Sequence, residues 1–187
     1  MIGDSADRRV EILCDRDELH VTWSRFGPQR DGAGLHVHRQ HTDLFYVLTG
    51  ELTVMLGASG AESVAQAGSV VIAPPLVVHG FRNGSDAELC YLNFHAPGAG
   101  FADYLRGRRD GVEVAFDSED PPADGGRPAQ EALIVPAEQG PLLAGRDETR
   151  IEVRDEPAPA SKRLTCLYAL EAELATLAGG RFLQIQA

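Results

Sequence analysis

The sequence predicts an all-β fold of the sandwich or barrel type, on two observations. Short apolar or alternating segments recur through the first 97 residues, separated by turn-forming Gly, Pro, Asn and Ser. No GxGxxG or GxxxxGK loop is present, which disfavours a nucleotide-binding α/β fold. The predicted strands are 8–14, 18–26, 35–38, 43–49, 51–56, 62–65, 69–73, 78–82 and 87–95.

Length and composition limit the classes of protein to consider. A chain of 187 residues can form one well-filled domain with a substantial extension. Its net charge of -11 argues against nucleic acid as a partner. No apolar run approaches the ~20 residues that span a membrane, and no signal peptide is recognisable. The three cysteines are scattered, as in reduced cytoplasmic proteins, so we expect a cytoplasmic location.

The composition changes after Pro97, which predicts two parts. Residues 1–100 form the predicted β-barrel domain. Residues 101–187 form the predicted C-terminal extension of short helices, loops and possible extra strands, packed on the barrel or on a partner subunit. A short helix is expected to begin at Phe101, and short strands are expected at 131–135 and 149–154.

The segment 161–178 has two interpretations. Leucine and tyrosine residues lie on a helical stripe, Ser161 can cap its start, and a Gly-Gly pair can end it. Alternating apolar residues over 163–170 instead predict a strand. The sequence leaves both open.

The strongest functional signal is a group of histidines with one carboxylate. His36 and His38 are two residues apart, so a strand would direct both imidazoles to one face. Asp43 follows in the next apolar run, and His79 follows a second run. Three neutral imidazoles and one carboxylate suit a divalent transition metal such as Zn, Fe, Ni, Cu or Mn.

Asp43 can join this group only if the chain changes its phase. In an unbroken strand an offset of five from His38 directs Asp43 to the opposite face. A loop or bulge over residues 39–42 would restore the same face, and the polar composition of that stretch permits it.

Two spaced motifs resemble those of the cupin family over about residues 8–97. The first is His36, one residue, His38, four residues, Asp43, six residues and a closing Gly50. The second is Gly68, five residues, Pro74, four residues, His79, three residues and Asn83. A lone HxH would be a weak signal, whereas two ordered motifs within a β-rich segment are specific.

The resemblance implies a cupin-type double-stranded β-helix, or jelly-roll barrel, with a short helix and a mixed C-terminal extension. It also implies a divalent metal inside the barrel, held by His36, His38, Asp43 and His79. Small cupins resemble one another in pairing through outer strands, so a homodimer is expected.

Two positions depart from the family pattern. Asp43 stands where the family usually has glutamate, so both direct ligation and a supporting position remain open. Leu76 stands where the family has glycine, and a leucine would be strained at a positive φ. We therefore expect the turn at Leu76 to have a different shape.

The resemblance favours a metal-dependent enzyme acting on a small organic substrate, by dioxygenase-like oxidation or by isomerisation or cyclisation. The alternative is a cupin module that binds a small molecule or a metal without catalysis. The candidate acid–base residues are Asp43, His41 and Tyr46. His41 is also interpretable as an extra metal ligand, as an exposed loop histidine, which we favour, or as a residue with a role at the rim of the site. His95 either lines the barrel or lies at a strand end.

Overall fold

The computed structural model describes residues 1–137, 142–144, 149–154, 165–169 and 182–186. Within these ranges the chain forms fourteen strands, one α-helix and one 3₁₀ turn. The strands are β1 Gly3–Asp4, β2 Arg8–Asp15, β3 His20–Phe26, β4 Thr42–Thr49, β5 Glu51–Leu56, β6 Ala61–Gln66, β7 Ser69–Ala73, β8 His79–Arg82, β9 Leu89–Ala96, β10 Leu133–Pro136, β11 Leu142–Ala144, β12 Thr149–Arg154, β13 Thr165–Ala169 and β14 Phe182–Gln186. The helix α1 is Phe101–Asp110, and the 3₁₀ turn is Ala129–Glu131.

Two antiparallel sheets form a barrel, which confirms the predicted all-β double-stranded β-helix. The larger sheet has the order β1-β2-β3-β9-β4-β7-β10, and the smaller has the order β6-β5-β8. Apolar side chains from both sheets pack together in one buried cluster. Buried polar residues, among them His38, Asp43, His79 and Asn93, lie in the barrel as well.

Alternation along the strands assigns each side chain to the inside or the outside of the larger sheet. On β4, Phe45 and Val47 belong to the interior cluster. Leu44 and Tyr46 belong to a second buried cluster on the opposite face. Because successive side chains on a strand point to opposite faces, Asp43 shares the interior face with Phe45.

The predicted C-terminal extension contributes to the barrel. β10 pairs with β7 in antiparallel register, so one strand of the larger sheet comes from beyond residue 100. The strands β11, β12, β14 and β13, in that order, form a further sheet. Residues 165–169 are a strand, so the helical interpretation is wrong there, and the rest of 161–178 lies outside the described residues. The division at residue 100 stays a prediction.

The helix predicted to begin at Phe101 is present. It ends at Gly111, whose left-handed φ of 70° and backbone N–H to the Gly107 carbonyl complete the C-terminal cap. Arg108 and Arg109 lie in its last turn, where cations interact favourably with the helix dipole. Among the described helices, none has the length and apolar character needed to cross a membrane.

The strand predicted over 35–38 is not formed. His36 and Val37 make only isolated bridges, to His79 and Glu119 respectively, and residues 39–40 form a bend before β4 begins. The bend supplies the change of phase that Asp43 required. The segment is therefore a loop held at single points rather than a member of a sheet.

The closing residues of the two sequence motifs have structural roles. Gly50 has a φ of 78°, and a Cβ there would lie 2.4 Å from the carbonyl oxygen of Glu88. Only glycine fits that turn without strain. Asn83 is fully buried, and its Nδ2 donates to the carbonyl oxygens of Gly27 and Ala87, each at 2.8 Å. It ties two loops together at the end of the barrel.

The turn at Leu76 keeps the shape that glycine would favour, so the expected change of shape is wrong. Leu76 has a φ of 65°. Its N–H donates to the carbonyl oxygen of His38 at 2.7 Å, and its carbonyl accepts from the N–H of Arg127 at 2.9 Å. These hydrogen bonds hold a left-handed leucine at a cost of roughly 1–2 kcal/mol.

The strain at Leu76 predicts an unusual order of stabilities. Leu76→Gly removes both the side-chain contacts and the strain, whereas Leu76→Ala removes the contacts and keeps the strained Cβ. We expect Leu76→Gly to be more stable than Leu76→Ala by about 1 kcal/mol. Urea unfolding of both variants measures the difference, and equal stabilities would contradict a strained turn.

His20 predicts a loss of stability in acid. Its side chain is buried, and neither ring nitrogen has a hydrogen-bond partner among the described residues. Burial lowers its pKa to about 4, below the value near 6.5 in the unfolded chain. The unfolded chain therefore binds the proton more strongly, and stability falls as the pH drops from 6.5 towards 4.

The variant His20→Leu isolates that effect. Between pH 7 and pH 5 the free energy of unfolding should decrease by about 2 kcal/mol more in the wild type than in the variant. Titrating groups that do not contact His20 contribute equally to both proteins and cancel in the difference. The free energy of unfolding of both proteins is measured by urea titration at each pH. If it falls equally in the wild type and in His20→Leu, His20 takes up its proton in the folded state and the prediction is contradicted.

Candidate metal centre

The predicted metal ligands come from three separate parts of the barrel. His36 and His38 lie on the loop before β4, Asp43 is the second residue of β4, and His79 is the first of β8. The backbones of His36 and His79 exchange two N–H to carbonyl hydrogen bonds, at 2.9 and 3.0 Å. This pair of hydrogen bonds fixes the loop directly beside β8.

The four side chains converge on one point. Their ligand atoms all lie within 4.8 Å of one another. The Nε2 atoms of His36 and His38 are 3.2 Å apart, and Asp43 Oδ2 lies 3.4 Å from His79 Nε2 and 3.8 Å from His38 Nε2. His38, Asp43 and His79 are buried, and His36 is half-buried.

The protonation of the three imidazoles follows from their other ring nitrogen. Each Nδ1 contacts a backbone carbonyl oxygen: His36 that of Gly34 at 2.8 Å, His38 that of Asp117, and His79 that of Val77 at 2.9 Å. A carbonyl can only accept, so each Nδ1 carries the proton. Each neutral ring then directs the lone pair of Nε2 towards the common point.

A bound cation would stabilise this arrangement of donor atoms, which is unfavourable in a protein interior that contains neither water nor a cation. The Nε2 atoms of His36 and His38 face each other as two lone pairs. The buried Nε2 of His79 has no hydrogen-bond partner among the described residues. Buried polar atoms normally have a partner, and three imidazole nitrogens with one carboxylate are a donor set for a divalent transition metal.

Electrostatics keep these groups in the form that a metal requires. Burial, with the neighbouring His79, lowers the pKa of His36 to about 4. Burial raises the pKa of Asp43, but the imidazoles of His95, His38 and His79 outweigh that effect and hold this pKa well below its ordinary value. His36 is therefore a neutral imidazole and Asp43 an ionised carboxylate at neutral pH, which are the forms that bind a metal.

Asp117 holds the histidine loop in place and was not identified from the sequence. Its Oδ1 accepts from the N–H of Arg39 at 2.9 Å, and its Oδ2 accepts from the N–H of Gln40 at 2.8 Å and from His41 Nδ1 at 2.9 Å. Its backbone carbonyl accepts from His38. Burial raises the pKa of Asp117, but the two backbone N–H groups and His41 bring it below its ordinary value.

His41 is buried, so its interpretation as an exposed loop residue is wrong. Its Nε2 lies 2.9 Å from His95 Nδ1. His95 Nε2 lies 3.0 Å from Asn93 Oδ1, and Asn93 Nδ2 donates to Asp43 Oδ1. A continuous chain of polar contacts therefore runs from Asp43 through Asn93, His95 and His41 to Asp117. These contacts show that His95 lines the interior of the barrel.

This chain has room for one more proton than two neutral imidazoles supply. His41 needs an N–H towards Asp117, His95 needs one towards Asn93, and the contact between the two rings needs a third. Burial lowers the pKa of His41 to about 4 and that of His95 well below its ordinary value, so the resting rings are neutral. A proton that reaches the chain can be accepted at this contact.

Tyr46 is not positioned as an acid–base residue. It lies in the buried cluster on the face of β4 opposite to Asp43, because the two residues are three apart on one strand. The prediction of a catalytic Tyr46 is therefore wrong. The alternation of side chains along β4 already indicates this position, because an interior Asp43 places Tyr46 on the opposite face.

A cavity of about 570 Å³ opens from the candidate metal centre. His36, His38 and Asp43 lie in its wall, with Asn93 and His95 beside them. The volume is within the range of about 300–1,000 Å³ typical of small-molecule sites. A small organic molecule in this cavity would contact the convergent side chains directly.

Comparison with known proteins matches residues 22–95 to the family described as a cupin domain. This range includes both motifs and all four convergent residues. No curated protein matches the chain.

Solved structures with a similar fold cover about half of the chain. An uncharacterised protein with a double-stranded β-helix domain from Klebsiella pneumoniae is 25% identical with a TM-score of 0.46, covering 51% of this chain and 77% of that one. KdgF from Halomonas sp. is 19% identical with a TM-score of 0.44, covering 50% and 81%. The polyketide cyclase RemF from Streptomyces resistomycificus is 21% identical with a TM-score of 0.43, covering 49% and 66%.

The contacts of Asp117 predict that it positions the metal ligands. Asp117→Asn replaces an acceptor oxygen with an amide that faces backbone N–H groups, so the loop loses part of its support. Changes of this kind typically weaken metal binding by about 10- to 100-fold. We expect about tenfold weaker binding of Zn²⁺, measured by competition with a chromophoric chelator.

Asp120→Asn is the matched control. Asp120 is exposed on the same loop, and no contact with the histidine loop is found for it among the described residues. Its variant should bind Zn²⁺ as the wild type does. If Asp117→Asn changes the melting temperature of the metal-free chain but leaves Zn²⁺ affinity unchanged, Asp117 has only a structural role.

Proposed function

We propose that the chain, whose residues 22–95 match the cupin-domain family, is a metal-dependent enzyme acting on a small organic substrate. The substrate would occupy the cavity beside the convergent histidines. The reaction would be a dioxygenase-like oxidation or an isomerisation or cyclisation of that substrate.

The observation that carries this proposal is the convergence of three fixed Nε2 lone pairs and one carboxylate at the wall of the cavity. A site with a purely structural metal is normally closed by its ligands, whereas a catalytic site keeps a position open. Here the donor atoms of His36, His38 and Asp43 adjoin 570 Å³ of space. A bound divalent ion would supply Lewis-acid or redox chemistry to a substrate oxygen.

The residues of the chain would provide the remaining functions of an active site. Apolar and aromatic walls exclude water from the bound molecule. Asp43 Oδ1 begins the chain of polar contacts that continues through Asn93 and His95 to His41. These groups would hold or pass on a proton that the reaction releases, which makes Asp43 and His41 the acid–base candidates.

Metal loading is the first test. The purified chain should contain or bind one divalent transition ion per molecule, by elemental analysis. His36→Gln and His79→Gln should each lower the bound metal to well below one, because one of the directed lone pairs is lost. His20→Leu removes a buried histidine outside the group and should retain the metal. A chain that binds no divalent ion would contradict the proposal.

The type of reaction is tested with the metal-loaded chain and a panel of small diols and enols. Uptake of O₂ with a compound would assign oxidation. Conversion of a compound without O₂ uptake, detected as a new product in NMR spectra, would assign isomerisation or cyclisation. Tight binding of compounds that are all recovered unchanged would instead indicate a non-catalytic binding module and would contradict enzymatic function.

A further inference from the structure

One face of α1 forms a wall of the cavity. Phe101, Tyr104, Leu105 and Arg108 all line it, and they are spaced at i, i+3, i+4 and i+7. This spacing places the four side chains on one stripe of a helix. Three members of the stripe are apolar or aromatic, and the fourth is a cation at the C-terminal end.

Two groups of aromatic rings line the cavity, one beside α1 and one on the barrel strands. On the helix side the rings of Tyr104 and Phe116 are stacked, with centroids 5.1 Å apart and an interplanar angle of 25°. On the barrel side Phe26 and Phe81 are stacked at 6.1 Å and 26°, and Tyr91 packs edge-on against Phe26. All five rings line the cavity, so a planar conjugated ligand would find aromatic partners in both groups.

Cations outnumber anions in the wall of the cavity. The lining contains Arg8, Arg30, Arg108 and Arg109, against Asp4 and Asp43. Asp43 is turned towards the imidazoles, as described above. The excess is unusual in a chain with a net charge of -11. It indicates that the cavity favours a negatively charged ligand.

Two of these arginines are available to a ligand. Arg30 is paired with Asp7 at 2.7 Å, and Arg109 is paired with Asp110 at 2.7 Å. For Arg8 and Arg108 no ion pair is found among the described residues. The guanidinium of Arg8 lies 5.6 Å from the centre of the Phe26 ring, so a cation is held against the aromatic wall itself.

We propose that the cavity selects a planar aromatic or conjugated acid, whose ring lies between the aromatic walls and whose carboxylate is bound by Arg108 and Arg8. Arginine binds carboxylates through parallel N–H donors, and Arg8 and Arg108 are both exposed, so the acid group would be oriented towards the solvent side of the cavity. The opposite part of the ring then faces the histidines. This inference rests on the proposed function, because it assigns a substrate class to the same site.

Three probes separate charge from shape: 2-naphthoate, its neutral analogue 2-naphthamide, and decalin-2-carboxylate, which has the charge without the planar ring. Binding to the full chain is measured by isothermal titration at low ionic strength, with bound metal determined in the same samples. We expect 2-naphthoate to bind about tenfold more tightly than either analogue. The charge-assisted pair and the ring stacking each contribute a factor of about ten to the affinity.

Variants assign the effect to residues. Arg108→Gln and Arg8→Gln should each weaken 2-naphthoate binding by about two- to fivefold, as expected for an exposed ion pair, and leave 2-naphthamide unaffected. Arg106→Gln is the matched control, because Arg106 is on the same helix but pairs with Asp15 and does not line the cavity. Bound metal should be the same in all of these proteins.

The outcomes distinguish this inference from the proposed function. Equal affinities for 2-naphthoate and 2-naphthamide, or equal effects of Arg108→Gln and Arg106→Gln, would overturn the inference even if the chain binds metal. A chain that prefers 2-naphthoate through Arg108 but binds no metal would support the inference and overturn the metal-dependent function.

Discussion

The candidate site depends on one constraint, which is the fixed orientation of three imidazole rings. Each Nδ1 of His36, His38 and His79 donates to a backbone carbonyl, so each Nε2 lone pair must face the others and the carboxylate of Asp43. Neutral rings in this arrangement repel one another through their lone pairs, and a buried nitrogen without a partner costs about 1–3 kcal/mol. The fold therefore maintains an arrangement that a cation stabilises, and the surrounding structure is what prevents the rings from turning away.

The structure around the rings consists largely of backbone hydrogen bonds made by loop residues. The loop that carries His36 and His38 belongs to no sheet, yet it is fixed by the double hydrogen bond with His79, by the N–H of Leu76 and by the carboxylate of Asp117. The left-handed conformation of Leu76 shows that stability is given up at this position, since leucine is disfavoured there. A loop fixed in this way can open towards a cavity, whereas a strand within a sheet would have neighbours on both sides.

Much of the fold and the four convergent residues could be predicted from the sequence, because alternation and motif spacing are local properties. The strand assumed for residues 35–38 was wrong, since the same alternation of histidines can arise in a loop held by isolated bridges. The position of Tyr46 follows from a local property too, because the alternation of β4 places it on the face opposite to Asp43. Asp117 had no local signal: it meets His41 from 76 positions away, and only the folded chain shows that contact.

The most direct test of the central claim is X-ray absorption spectroscopy at the edge of the metal bound by the full chain. The fixed orientation of the rings predicts a first shell of nitrogen and oxygen atoms at about 2.0–2.2 Å, with the outer-shell scattering of three imidazoles bound through Nε2. The spectrum of His79→Gln should lose one imidazole. A wild-type spectrum with sulfur neighbours, or with oxygen neighbours and no imidazole scattering, would contradict the claim that these three rings form the metal centre.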